Sequence, residues 1–286
     1  MLINHIKNLK NFIKGYDLIL CDLWGVIHNG EKVFPESLEF LHYTKDAGIS
    51  VILFSNAPRP NTVVRSFLAN KIKLSENLFH SIISSGDVAL EMINNLNHGK
   101  SYFHMGPPKD YDLLDRIKIT KTDKIEEADF ILCTGLNNDE IENPFDYQDT
   151  LSEMARLNLP MVCANPDIMA FRGNKKIFCA GSIAEYYSDL GGKVKFYGKP
   201  FREMYNHAYK KALNEKIITS KSQILAIGDS VRTDLNGAIN FGINSIFIEN
   251  GIHKNEIISS IDLKNFFHSH LDKMTDQINI INSLKL

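Results

Sequence analysis

Four separate stretches of the chain end in side chains suited to work on phosphorus. An apolar run, Leu18-Ile19-Leu20-Cys21, stops at Asp22 and turns through Leu23-Trp24-Gly25, and a second run over 49–54 stops at Ser55-Asn56. Residues 194–197 lead into Gly198-Lys199-Pro200, and Ile224-Leu225-Ala226-Ile227 leads into Gly228-Asp229-Ser230, with Asp234 one helical turn later. A carboxylate can attack phosphorus and form an aspartyl-phosphate, which divides a difficult hydrolysis into two displacements. The incoming phosphate would repel Asp22, so a cation has to neutralise both. Asp22 and Asp229 are hard oxygen donors for Mg²⁺, which binds through one or two carboxylates plus the phosphate. Lys199 adds positive charge, and Ser55, with Asn56 and the adjacent amides, would donate hydrogen bonds to the phosphate oxygens. Asp234 would hold a metal-bound water or orient Lys199.

These groups need a scaffold that brings distant segments together. Unbroken apolar runs, with no polar alternation, fit strands covered on both faces, as in a parallel sheet, and Gly25 permits a sharp turn beyond the first of them. The spacing predicts a helix over 35–45 that closes near Gly48, so the first two runs form a βαβ unit. In open α/β sheets ligands bind beyond the carboxyl ends of the strands, and all four stretches are expected to deliver their chemistry there. After Ser84 the pattern restarts. Short strands are predicted at 130–134, before Gly135, and at 161–164, before Asn165-Pro166-Asp167. Helices are predicted at 148–158 and from Gly181-Ser182 to Gly191-Gly192. This second set reads as an inserted α/β domain over 87–189, within a core made of 1–86 and 190–286. The amino-terminal stretch 1–14 has helical apolar spacing and is expected to be a packing helix. The stretch after Ile252, with Phe266, Phe267 and Leu271 and then Ile278, Ile280 and Ile281, is expected to pack on the sheet edge or on a partner subunit. An exposed apolar strip there would favour a homodimer.

Composition narrows the partners. The 286 residues are 44% hydrophobic and 23% charged, with a formal net charge of −2. That balance offers no electrostatic basis for binding nucleic acid or an anionic membrane. No run reaches the ~18–20 apolar residues of a membrane span. The four cysteines, scattered in apolar contexts, have neither zinc-site spacing nor the density of a disulfide scaffold, so reduced thiols in a cytoplasmic protein are expected.

In order and spacing, Asp22-Leu23-Trp24-Gly25-Val26, Ser55-Asn56, Gly198-Lys199-Pro200 and Gly228-Asp229-Ser230 through Asp234 resemble the four motifs of the haloacid dehalogenase superfamily. The long insert, with Asn165-Pro166-Asp167 and Gly181-Ser182-Ile183-Ala184, resembles its class IIA branch, which includes NagD-like and nitrophenylphosphatase-like members. The resemblance implies a Rossmann-like parallel sheet core, an inserted α/β cap domain over the active site, and Mg²⁺-dependent hydrolysis of a small phosphorylated metabolite. By that likeness Asp22 is the nucleophile, Ser55 and Lys199 bind phosphate and Asp229 binds metal. One position departs. Phosphatase members carry a second aspartate where this chain has Trp24, and an indole neither protonates a leaving oxygen nor activates water. The Trp24 backbone carbonyl remains a metal ligand whatever its side chain. His28 is the nearest titratable replacement for the acid. Arg59, Asn165 and Asp167 are expected at the rim, contacting substrate from the cap side. Three activities fit these residues: a phosphatase of small esters, a phosphoryl-transfer or phosphonate-cleaving enzyme on the same core, and a catalytically silent metal-binding or ligand-binding homologue.

Overall fold

A computed structural model describes residues 1–95, 97–259 and 262–286. Its strands, in chain order, are β1 Leu2–His5, β2 Leu18–Cys21, β3 Ser50–Ser55, β4 Ser81–Ser84, β5 Ser101–Met105, β6 Thr120–Thr122 and β7 Phe130–Cys133. There follow β8 Met161–Cys163, β9 Met169–Arg172, β10 Lys175–Phe178, β11 Val194–Phe196, β12 Ile224–Gly228, β13 Asn244–Ile248 and β14 Gln277–Ile281. One parallel sheet has the order β1-β14-β13-β12-β2-β3-β4 and a second has the order β11-β8-β7-β5-β6, while β9 and β10 form an antiparallel hairpin.

Strand β2 sits near the middle of the larger sheet, paired in parallel with β3 and β12, and all four of its residues are buried. Both faces are covered. Leu18 and Leu20 point into one apolar cluster with Ile52, Phe54 and Ala226, and Ile19 and Cys21 point into another with Val51, Leu53 and Ile227. Such a strand has no solvent face, which is why its sequence shows no polar alternation.

The first of these clusters does not end at the larger sheet. It continues through Phe130, Leu132 and Val162 of the second sheet, so one apolar core serves both. Two helices make the crossing. Ser85–Asn94 runs from β4 to β5 and contributes Val88, Ala89 and Ile93, and Arg202–Asn214 runs from β11 back to β12 and contributes Met204, Tyr205 and Ala208. Ser84 caps the first helix by accepting the Asp87 N–H, so the chain leaves β4 directly into the crossover.

The termini correct the sequence reading. Residues 2–5 form a strand, and only Leu9–Ile13 is helical. Ile278 and Ile280 lie in β14, which is not packed outside the sheet but runs inside it between β1 and β13. Short apolar stretches satisfy helical and strand spacing alike, and here pairing between the two ends of the chain decides. Lys199 is a further correction. The strand before it, β11, belongs to the second sheet through its pairing with β8, so the lysine reaches the crevice from across it. Among the described residues, no helix is long and apolar enough to cross a membrane.

Candidate active site

Asp22 leaves the end of β2 with its N–H donating to the Ile227 carbonyl at 2.8 Å, so the last residue of the ladder is also the first of the crevice. The turn that follows is tight because of what it approaches. Gly25 has φ +83°, and a Cβ there would lie 2.0 Å from Asp229 Oδ2. Only glycine suits both the left-handed backbone and that approach. Asp229 is held from its other side by the Ile252 N–H, which donates to Oδ2 at 2.8 Å beside Gly251. Asp234 lies on the short helical turn Val231–Leu235, and its Oδ2 accepts the Ser230 N–H at 3.1 Å.

Lys199 joins these groups. Its Nζ donates to Asp22 Oδ1 and, at 2.7 Å, to Asp234 Oδ1, with the lysine only 2% exposed. Its backbone is clamped by Asn56, whose Oδ1 accepts the Lys199 N–H at 2.7 Å and whose Nδ2 donates to the Lys199 carbonyl at 3.1 Å. Ser55 Oγ accepts the Ala57 N–H at 3.2 Å and keeps its own proton to donate.

The charges here do not balance. One oxygen from each of Asp22, Asp229 and Asp234 lies within 4.8 Å of the others, and all three residues are buried, against the ammonium of Lys199. Burial pushes the Asp22 carboxyl up to about 7, with the Lys199 charge working against the shift and Asp234 adding to it. Asp229 is pushed well above the ordinary carboxylate range by burial and by Asp22 and Asp234. Burial alone would depress Lys199, but Asp22, Asp234 and Asp167 more than offset it and hold the ammonium well above its usual value. A cluster of hard carboxylate oxygens with surplus negative charge suits a small divalent cation bound by oxygen, so the residues present fit Mg²⁺.

This geometry has relatives. A family model described as haloacid dehalogenase-like hydrolase matches residues 19–120, and one described as HAD-hydrolase-like matches residues 196–273. A crystal structure of a haloacid dehalogenase-like family hydrolase from Brucella suis is 33% identical, covers 97% of this chain and 99% of its own, and superposes with a TM-score of 0.85. The chain belongs to the haloacid dehalogenase-like hydrolases. Ribonucleotide monophosphatase NagD of Escherichia coli is 21% identical over 86% of this chain and 92% of its own length. A 4-nitrophenylphosphatase of Schizosaccharomyces pombe is 26% identical over 90% of this chain and 91% of its own. Both agree with the class IIA likeness of the motifs.

In this haloacid dehalogenase-like hydrolase, several residues expected at the site have other duties. His28 is 1% exposed. Its Nδ1 accepts the Gly30 N–H at 2.9 Å, and its ring packs edge-on against Trp24 and Phe67 at 5.1 and 5.6 Å. Burial, helped by Lys71, pushes its pKa down to about 4, so at neutral pH it has no proton to give as an acid. The expectation of a catalytic His28 is therefore corrected to a packing role. That role has a thermodynamic signature. Between about pH 6.5 and 4 the unfolded chain binds a proton that the folded His28 refuses, so stability falls as pH drops through that window, by up to about 3 kcal/mol. His28→Asn, which keeps an acceptor for Gly30, is expected to show a shallower loss of unfolding free energy between pH 7 and about 4.5. Equal pH dependence in the two proteins would refute it.

Arg59 is likewise engaged elsewhere. Its Nε donates to the buried Asp110 Oδ1 at 3.1 Å, which ties the loop after β3 to the turn after β5 and anchors one sheet to the other. Asn56, expected to touch phosphate, spends its side chain on Lys199 and on Asp167, to whose Oδ1 its Nδ2 also donates at 2.9 Å. Asn165 Oδ1 accepts the Asp167 N–H at 3.0 Å, so it shapes the turn that presents Asp167. Trp24 is half-buried, and its Nε1 donates to the Phe171 carbonyl in the β9–β10 hairpin, while the Gly173 N–H donates to the Asn29 carbonyl at 2.9 Å.

Three contributors carry no signal in the sequence. The Ile252 N–H and the Ser230 N–H are backbone donors that any residue could supply. Ser85 Oγ lies within hydrogen-bond distance of the Asn56, Ala57 and Ala164 carbonyls, a position fixed entirely by chain packing.

Proposed function

We propose that this hydrolase is a Mg²⁺-dependent, cytoplasmic phosphatase of small phosphate esters that works through an aspartyl-phosphate on Asp22, with the second sheet acting as an α/β cap. The observation that carries the reading is the Lys199 ammonium bonded at once to Asp22 and Asp234, beside Asp229, at the carboxyl ends of β2 and β12. Relatives named as phosphatases support it. Mg²⁺, held by Asp22, Asp229, Asp234 and the Trp24 carbonyl, would supply positive charge against the phosphate. An Asp22 carboxylate oxygen attacks phosphorus, the bond to the ester oxygen breaks, and that oxygen takes up a proton as the alcohol leaves. Water then attacks the phosphorus of the aspartyl-phosphate, releasing phosphate and restoring the carboxylate. Ser55 donates its hydroxyl proton to a phosphate oxygen, and Lys199 offsets the charge that Asp22 and the phosphate bring together.

Trp24 favours a second reading, a silent binder on the same framework, because it offers no titratable group where the motif it resembles has an acid. Two measurements separate them. Mg²⁺ at about 100 times its dissociation constant is expected to stabilise the fold by about 2.7 kcal/mol, read as a rise in Tm that EDTA reverses. A panel of phosphate monoesters should then release phosphate only with the metal present. A Mg²⁺-stabilised protein that turns over none of the panel would leave the silent binder standing, and no effect of Mg²⁺ on Tm would remove both.

A further inference from the structure

We infer that Asp167 supplies the proton to the leaving oxygen, the task that Trp24 cannot perform. This rests on the phosphatase reading and adds a catalytic residue to it. In an in-line displacement by Asp22 the leaving oxygen lies on the far side of phosphorus, so its proton donor has to stand across the crevice from Asp22. Asp167 belongs to the segment after β8 of the second sheet and meets the crevice through Asn56 and Lys199. It follows β8 by way of Asn165-Pro166, and Pro166 packs so closely on Gly198 that a Cβ there would lie 2.5 Å from the proline Cδ. The carboxyl is fixed in orientation. Asp167 Oδ1 accepts the Asn56 amide at 2.9 Å, and the same amide donates to the carbonyl of Lys199, so one side chain ties the new acid to the residue that pairs with the nucleophile. Oδ2 takes no hydrogen bond among the described residues.

The other titratable groups nearby are committed. Asp229 and Asp234 accept backbone N–H groups and belong to the carboxylate cluster, Lys199 is bonded to two carboxylates, His28 is a buried base with its Nδ1 occupied, and Arg59 is paired with Asp110. The groups whose charges act on Asp167 are Lys199, Asp234 and Arg232, and it in turn acts on Asp22, Cys163 and Cys179. Burial raises the Asp167 carboxyl above its ordinary range, against the opposing pull of Lys199 and Asn56, which favours the protonated form that an acid must hold at the start of the reaction. The proton passes from Asp167 to the ester oxygen as the P–O bond breaks, leaving Asp167 as the carboxylate. Asp167 then takes a proton back from the water that attacks the aspartyl-phosphate.

The test compares two esters on Asp167→Asn, which retains an oxygen for the Asn56 amide and removes only the titrating proton. An alkyl phosphate needs its leaving oxygen protonated, whereas 4-nitrophenolate leaves readily without help. The expected result is that kcat for the alkyl ester falls by about 10²-fold or more relative to kcat for 4-nitrophenyl phosphate. An equal loss on both esters would overturn the assignment and make Asp167 an anchor for Asn56, and no loss on either would overturn it as well. Asp167→Ser, smaller than the native residue, gives the same ratio should the amide variant not fold. The wild-type enzyme and Asp22→Asn serve as controls for the underlying reading: wild type inactive on both esters, or Asp22→Asn active on either, overturns the phosphatase reading and this assignment with it, whereas failure of the ratio alone overturns only Asp167.

Discussion

Asp22→Asn is expected to lower phosphate release by about 10³-fold or more while leaving the protein folded. The two halves of that expectation come from one environment. In the proposed mechanism a carboxylate oxygen at the end of β2 bonds phosphorus, and an amide is too poor a nucleophile to replace it. The same carboxyl is uncomfortable in the absence of metal, since burial and neighbouring carboxylates hold it up at about 7. Replacing it with a neutral isostere removes that like-charge repulsion, so Tm in EDTA should be unchanged or higher. The stabilisation given by Mg²⁺ should shrink, because one ligand oxygen is weakened. Activity within tenfold of wild type in this variant would contradict the role given to Asp22.

Lys199→Met should produce the largest loss of stability of any change at the site. The methionine fills a similar volume, so the effect isolates the charge. Removing one partner from a buried ion pair leaves the others uncompensated and costs about 3–5 kcal/mol. Here the residues left behind are Asp22 and Asp234, both under 10% exposed, next to Asp229. Denaturant unfolding at pH 7 in EDTA would read the loss directly. The loss should be smaller at saturating Mg²⁺, which takes over the balancing charge, and smaller near pH 5, where protonation of carboxyls already raised by burial relieves the repulsion. A loss that ignored both metal and pH would mean that the lysine acts by packing alone.

The sequence makes some parts of this site visible and hides others for physical reasons. Asp22, Ser55 and Asp229 each follow or end a strand covered on both faces, and that leaves an unmistakable local trace: an apolar run that halts at a polar residue. The side chains are then delivered to one place by the parallel register of adjacent strands, which needs no knowledge of distant contacts. Lys199 is legible as a residue but not as a visitor from the second sheet, because membership of a sheet depends on a partner strand more than thirty positions away. His28 shows the opposite limit. Its type announces titration, while its burial between Trp24 and Phe67, which removes the proton, is written nowhere near it in the chain. The strands at either end escape a local reading for the same reason, since Ile3 meets Ile278 only after the whole sheet has formed. Asn56 stands in the crevice as its position after β3 implies, but its partner, the backbone of Lys199, has no local mark.

The apolar cluster common to both sheets restricts how a substrate can come and go. Swinging the smaller sheet away as a unit would drag Phe130, Leu132 and Val162 off the crossover helices and wet a large greasy surface, at roughly 25 cal/mol for every Å² exposed. Lifting only the Met169–Phe178 hairpin requires parting a smaller seam: the indole bond to Phe171, the Gly173 bond to Asn29, the ion pairs of Arg172 with Asp139 and Glu140, and the packing of Ile177 and Phe178. Traffic would then be metered by a ten-residue flap with Trp24 as its latch, and molecules too bulky to slip beneath that flap would be refused before any chemistry began.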